Sequence, residues 1–153
     1  MTEHDREQLV PVLLVEDDPD DVAITQRAFR KGNVANPLRV VRDGEEALEY
    51  LRQTGRYAGA GSAPRPGIVL LDLNLPRVGG REVLREIKGD PVLKRLPVVI
   101  LTTSDQDADV IDCYEHGANT YMTKPVDFRQ FIEAVVTIGR YWLCFAEIPA
   151  AGN

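Results

Sequence analysis

The chain has 153 residues, with 18 Lys+Arg set against 24 Asp+Glu for a formal charge of −6, and 44% of its residues are hydrophobic and 27% charged. Those proportions describe one soluble globular domain, long enough to bury about two-thirds of the surface its unfolded chain exposes without a disulfide or structural metal. Lys and Arg are outnumbered and never run together beyond pairs, which argues against nucleic-acid binding through phosphate neutralisation.

Cys113 and Cys144 have no second Cys or His at metal-ligand spacing and read as buried structural thiols in a reduced, cytoplasmic setting. The apolar run Leu9 to Val15 ends at Glu16-Asp17-Asp18, too soon for a signal peptide or a membrane span. No membrane or nucleic-acid partner is expected. Residues 1–8 read as a polar tail, 9–139 as the domain and 140–153 as an apolar extension.

Strand-length apolar runs alternate with segments of helical period. Val10 to Val15 is continuous and β-branched, as a strand covered on both faces should be. Pro19 suits a first helical turn after Asp18, and Val22, Gln26 and Phe29 mark one face before Gly32-Asn33. Leu38 to Val41 is a second strand, and a helix from Asp43 through Ala47, Leu48 and Leu51 stops at Gly55. Gly55 to Gly67 reads as a solvent-exposed connection. Ile68 to Leu71 is strand three, followed by a helix after Gly79-Gly80 with Val83, Leu84 and Ile87 on one face. Val98 to Leu101 is strand four. Asp105 to His116 is helical, with Val110, Ile111 and Tyr114 inward, and Thr120 to Met122 is strand five. Phe128 opens the last helix. Strict alternation implies an α/β fold, a doubly wound five-stranded parallel sheet with helices on both faces.

Ligands in such sheets bind outside the carboxyl ends of the strands. Strand one ends in Glu16-Asp17-Asp18, strand three in Asp72, strand four in Thr102-Thr103, and Lys124 follows strand five. Carboxylates from two strands that meet in a crevice repel unless a cation lies between them, and so few oxygens suit Mg²⁺ better than Ca²⁺. An aspartate beside Mg²⁺ and a lysine can attack phosphorus and form an aspartyl phosphate, with Thr102 offering a hydroxyl to the new phosphoryl oxygens. Asp18, Asp20 and Asp21 read instead as helix-start residues.

These residues also carry a resemblance. Leu-Leu-Val-Glu16-Asp17-Asp18, Leu-Leu-Asp72-Leu-Asn74-Leu-Pro76, Val-Ile-Leu-Thr102-Thr and Tyr121-Met-Thr-Lys124-Pro125 resemble, in order and over about Val10 to Gly139, the receiver domain of two-component response regulators. The resemblance implies a flavodoxin-like (CheY-like) sheet of order 2-1-3-4-5 and a phosphoryl group accepted on Asp72 from a histidine kinase. It further implies a Mg²⁺ site of Asp17, Asp72 and the Asn74 carbonyl, with Glu16 acting through a metal-bound water. Lys124 would pair with the phosphoryl group, within a Lys124–Pro125 bond that the family usually holds cis. Thr102 matches the hydroxyl switch position, and Tyr121 is either the aromatic switch or ordinary core. Thr103 departs from the smaller residue common there, which implies narrower access to the phosphoryl group.

Two other readings stand beside this one. A phosphorelay intermediate would pass the group on to a histidine phosphotransfer protein. An aspartate-nucleophile phosphatase would need a second Asp as acid/base where Asn74 stands, so the chain is read as a regulator rather than an enzyme. The extension is apolar on more than one face, with Tyr141, Trp142, Phe145 and Ile148 suited either to folding back on the domain or to a homodimer interface. Its Tyr-Trp-Leu and Glu147-Ile148-Pro149 ending is similar to single-domain regulators that accompany phytochrome-type histidine kinases.

Overall fold

Five strands, Val12–Val15 (β1), Leu38–Val41 (β2), Ile68–Leu71 (β3), Val98–Thr102 (β4) and Thr120–Thr123 (β5), form one parallel sheet in the order β2-β1-β3-β4-β5. The computed structural model describes Thr2 and residues 9–145. Among the described residues five α-helices alternate with the strands: Pro19–Lys31 (α1), Gly44–Arg52 (α2), Gly80–Gly89 (α3), Asp107–Glu115 (α4) and Phe128–Arg140 (α5). A π-helical turn, Tyr141–Phe145, continues α5.

Side chains of a strand alternate between faces, so each buried strand supplies two cores. Leu13, Val15, Val69, Leu71, Val98 and Ile100 pack on one face against α2, α3 and Cys113 of α4. Val12, Leu14, Ile68, Leu70, Val99 and Leu101 pack on the other face against α1 and α5. Each fully buried aliphatic side chain is worth about 1.5–3 kcal/mol of transfer free energy, which makes the three central strands the stable floor of the molecule.

Helix starts follow local chemistry. Asp18 caps α1 by accepting from the Asp20 amide, with Pro19 in the first turn, and Asp43 and Asp127 cap α2 and α5 in the same way. The start of α3 has no side-chain cap but has a glycine with a reason. A Cβ on Gly80 would lie 2.1 Å from the Asp72 carbonyl and 2.6 Å from Leu73 Cα, so only glycine lets α3 begin against the end of β3.

Several expectations are corrected by the packing. In α1 the buried face is Val22, Thr25, Ala28 and Phe29, and Gln26 is exposed. In α4 the inward residue is Cys113, while Ile111 and Tyr114 are exposed, because the helix turns one edge of its apolar stripe outward. Cys144 is exposed, not buried. The Gly55–Gly67 connection is partly tied down: Tyr50 donates to the Pro64 carbonyl, Gln53 to the Ala63 carbonyl and Arg65 to the Leu51 carbonyl, and Ala63 is buried. The Lys124–Pro125 bond is not cis.

Candidate phosphoryl-transfer site

The carboxyl end of the sheet gathers side chains from β1, β3, β4 and the segment after β5. Glu16 directly follows β1 and is buried at 2% exposure, Asp72 directly follows β3 at 7%, and Thr102 closes β4 at 0%. Lys124 reaches this edge because its amide donates to the Thr102 carbonyl at 2.7 Å, extending the β4–β5 ladder by one bond.

The Lys124 ammonium lies at the centre. Its Nζ donates to Asp72 Oδ2 at 2.9 Å, to Asp21 Oδ2 at 2.8 Å and to Glu16 Oε1. An ammonium has three N–H bonds, so all its donors are taken. Carboxylate oxygens of Glu16, Asp21 and Asp72 lie within 4.8 Å of one another. Three carboxylates against one ammonium leave two formal negative charges, with Glu16 and Asp72 nearly sealed from water and Asp21 reaching it at the rim. The buried acids Glu16 and Asp72 and this charge excess fit a divalent cation such as Mg²⁺, held by few carboxylates with water completing the shell.

Titration follows the same geometry. Burial pushes Glu16 up to about 7, with the neighbouring Asp72 charge adding to the rise and Lys124 opposing it. Burial would also raise Asp72, but the Lys124 ammonium and the Asn74 amide, which donates to Asp72 Oδ1 at 3.2 Å, outweigh it and hold the carboxyl below the usual aspartate value. Burial would lower Lys124, and its bonds to the three carboxylates reverse that and raise it above an ordinary lysine. The Thr102 hydroxyl is buried with no hydrogen-bond partner; it stands near enough to Asp72 to stabilise the carboxylate weakly.

The expected residues divide. Glu16, Asp72, Thr102 and Lys124 converge. Asp17 and Asn74 are exposed, and Asp17 is outside the three-carboxylate cluster. Tyr121 is half-buried against the core, and its hydroxyl donates to the Ser104 carbonyl at 2.8 Å. Ser104 in turn donates to Asp109, which pairs with Arg81, so the segment after β4 is tied to both α3 and α4. Trp142 packs partly against the α1/α5 core, whereas Tyr141 is 55% exposed, its ring edge-on to Trp142 at 5.0 Å. The Phe145 side chain and Ile148 lie outside the described residues.

The sequence reads Asp21 as a helix-start residue, and the structure adds it to the acids around Lys124. The signal was available in the helical period: Asp21 lies four residues before the buried Thr25, whose hydroxyl donates to the Asp21 carbonyl at 2.8 Å. Residues four apart share a face, so Asp21 belongs to the side of α1 that meets the sheet edge.

Comparison with known proteins agrees with this geometry. The chain is 44% identical over 140 residues to the response regulator Rcp1 of Synechocystis sp., covering 92% of this chain and 93% of that one. The structure of the phosphorylated cyanobacterial phytochrome response regulator RcpA superposes with a TM-score of 0.85 at 44% identity, covering 93% of this chain and 99% of that one. The Mn²⁺-bound form of Rcp1 does so with a TM-score of 0.83 at 42% identity, covering 92% and 99%. Among the described residues no helix is long and apolar enough to cross a membrane. Residues 12–136 match the response regulator receiver domain, and the chain belongs to that family.

Proposed function

We propose that the chain works as a stand-alone response regulator that accepts a phosphoryl group from a sensor histidine kinase onto Asp72. The observation that carries this reading is the buried Asp72 carboxylate with the Lys124 ammonium at 2.9 Å and an unpartnered Thr102 hydroxyl beside it. In the transfer a carboxylate oxygen of Asp72 bonds to phosphorus as the phosphorus–nitrogen bond of the phosphohistidine breaks. The imidazole nitrogen leaves with the electron pair. Lys124 and Thr102 are placed to meet the phosphoryl oxygens. Glu16, Asp17, Asp72 and the Asn74 carbonyl would hold Mg²⁺, which supplies charge neutralisation at the phosphoryl oxygens; Mn²⁺ in the Rcp1 structure supports a divalent ion. Tyr121, tied to Ser104, is the aromatic member of the switch.

Intact mass after incubation with Mg²⁺ and a small acyl phosphate tests the assignment. Wild type gains one phosphoryl group and Asp72→Asn gains none; equal gain by both would overturn the role of Asp72.

The partner kinase is of phytochrome type, a reading supported by the relatives Rcp1 and RcpA, and the protein acts in the cytoplasm. Residues 9–139 are the receiver domain and 140–153 a dimerisation extension after a polar tail at 1–8. The homodimer forms through Tyr141, Trp142, Phe145 and Ile148, for which the exposure of Tyr141 is the support. Because Trp142 also covers its own core, Tyr141→Ala is the cleaner probe. Sedimentation at micromolar concentration should give a dimer for wild type and a shift to monomer for the variant. A monomeric wild type would reduce the extension to cover.

A further inference from the structure

The geometry points to Asp21 as a positioning residue: a resting-state tether on Lys124 that must release it before the ammonium can bond a phosphoryl oxygen. This inference rests on the phosphoryl-acceptor reading of Asp72. Its ground is the state of the two donors that face the acceptor. The Thr102 hydroxyl is buried and makes no formed hydrogen bond, only a weak approach to Asp72, so it can bond an incoming oxygen at little cost in existing bonds. All three Lys124 donors are already engaged, by Glu16, Asp21 and Asp72.

One of those bonds must break when the phosphoryl group arrives, and the three are unequal. Asp72 gives up its charge only as its oxygen–phosphorus bond forms, and until then both it and Glu16 are nearly sealed from solvent, with side-chain exposures of 9% and 3%, so a carboxylate deserted there has no water to replace the ammonium. Asp21 is 32% exposed at the rim, on the first turn of α1. It can exchange the ammonium for water, which makes its bond the cheapest to give up. Asp21 therefore sets part of the cost of phosphorylation through Lys124, without touching the reacting atoms.

The test compares Asp21→Asn with Asp20→Asn, a neighbouring exposed carboxylate whose loss changes the net charge equally. With Mg²⁺ saturating and a small acyl phosphate as donor, Asp21→Asn should phosphorylate about three- to tenfold faster than wild type, the range for a partly exposed charge-assisted bond. Asp20→Asn should stay within about twofold, the range for an exposed surface charge. A second measurement isolates the tether: urea unfolding in chelator of wild type, Asp21→Asn, Lys124→Met and the double variant. The cycle should show favourable coupling between positions 21 and 124. Equal rates for the two Asn variants, or no coupling in the cycle, would overturn the tether while leaving Asp72 as acceptor; absence of any phosphorylation in wild type would instead remove the reading beneath it.

Discussion

Two partly buried lysines stand at opposite ends of the sheet, each donating to three oxygens, and they are driven in opposite directions. Lys124, at the carboxyl ends of the strands, bonds three carboxylates and is raised above an ordinary lysine. Lys88, at the end of α3, donates to the Lys94 carbonyl at 3.1 Å, the Leu96 carbonyl at 2.7 Å and Asn119 Oδ1 at 3.0 Å, where the chain enters β4 and β5. Burial lowers it, since neutral oxygens do not repay the lost hydration. The number of bonds is the same and the formal charge of the acceptors is not. Neutral acceptors make a clip that satisfies backbone groups; charged acceptors make a site with two formal negative charges in excess, which cations or a proton on Glu16 answer.

The largest effect is expected from removing the ammonium of the charged site. Lys124→Met should lose about 3–5 kcal/mol in chelator, because it leaves carboxylates crowded without a counter-charge. Millimolar Mg²⁺ should restore part of that loss by binding the folded state. Urea unfolding with and without the ion measures both, and a loss that Mg²⁺ leaves unchanged would contradict a charge excess.

An intermediate effect concerns pH. The folded Glu16 carboxyl holds its proton up to about 7, against 4.5 for an ordinary one, so across that window the folded state binds more protons than the unfolded state. Stability of the metal-free protein should therefore fall as pH rises from 4.5 to about 7, and Glu16→Gln should flatten the curve by roughly 1–3 kcal/mol. Asp72, lowered below the ordinary value, acts oppositely: its contribution is present above the unfolded value of 3.8 and is lost as pH falls further, outside this window. An unchanged slope in Glu16→Gln would mean that another group titrates there.

The smallest effect belongs to the clip. Lys88→Met should cost roughly 1 kcal/mol, since the carbonyls it leaves are partly reached by water and Asn119 still accepts from the Val98 amide at 2.9 Å. That cost should not respond to Mg²⁺ in the unfolding experiment. A Mg²⁺-dependent loss at Lys88 would erase the distinction between the two lysines.

Much of the fold was legible because its signals are local. Alternating β-branched runs and helical stripes predict five strand-helix units, and the ends of β1, β3 and β4 predict where Glu16, Asp72 and Thr102 stand. Helix faces were legible only where the apolar stripe is unambiguous: α3 buries Val83, Leu84 and Ile87 as its period implies, whereas α4 exposes Ile111 and Tyr114. A stripe with apolar residues on two sides does not say which side meets the sheet.

By itself the sequence determined the alternation of elements, the strand ends that carry acids and the lysine that follows β5, since each depends on period and order along the chain. Tertiary structure decided which acids share that lysine. Asp21 and Lys124 are 103 positions apart, and Asp17, adjacent to Glu16, faces outward while Glu16 is buried. Caps and turns are settled within a few residues, but a buried charge is assigned its partners only when separate elements close around it and water is no longer there to take their place.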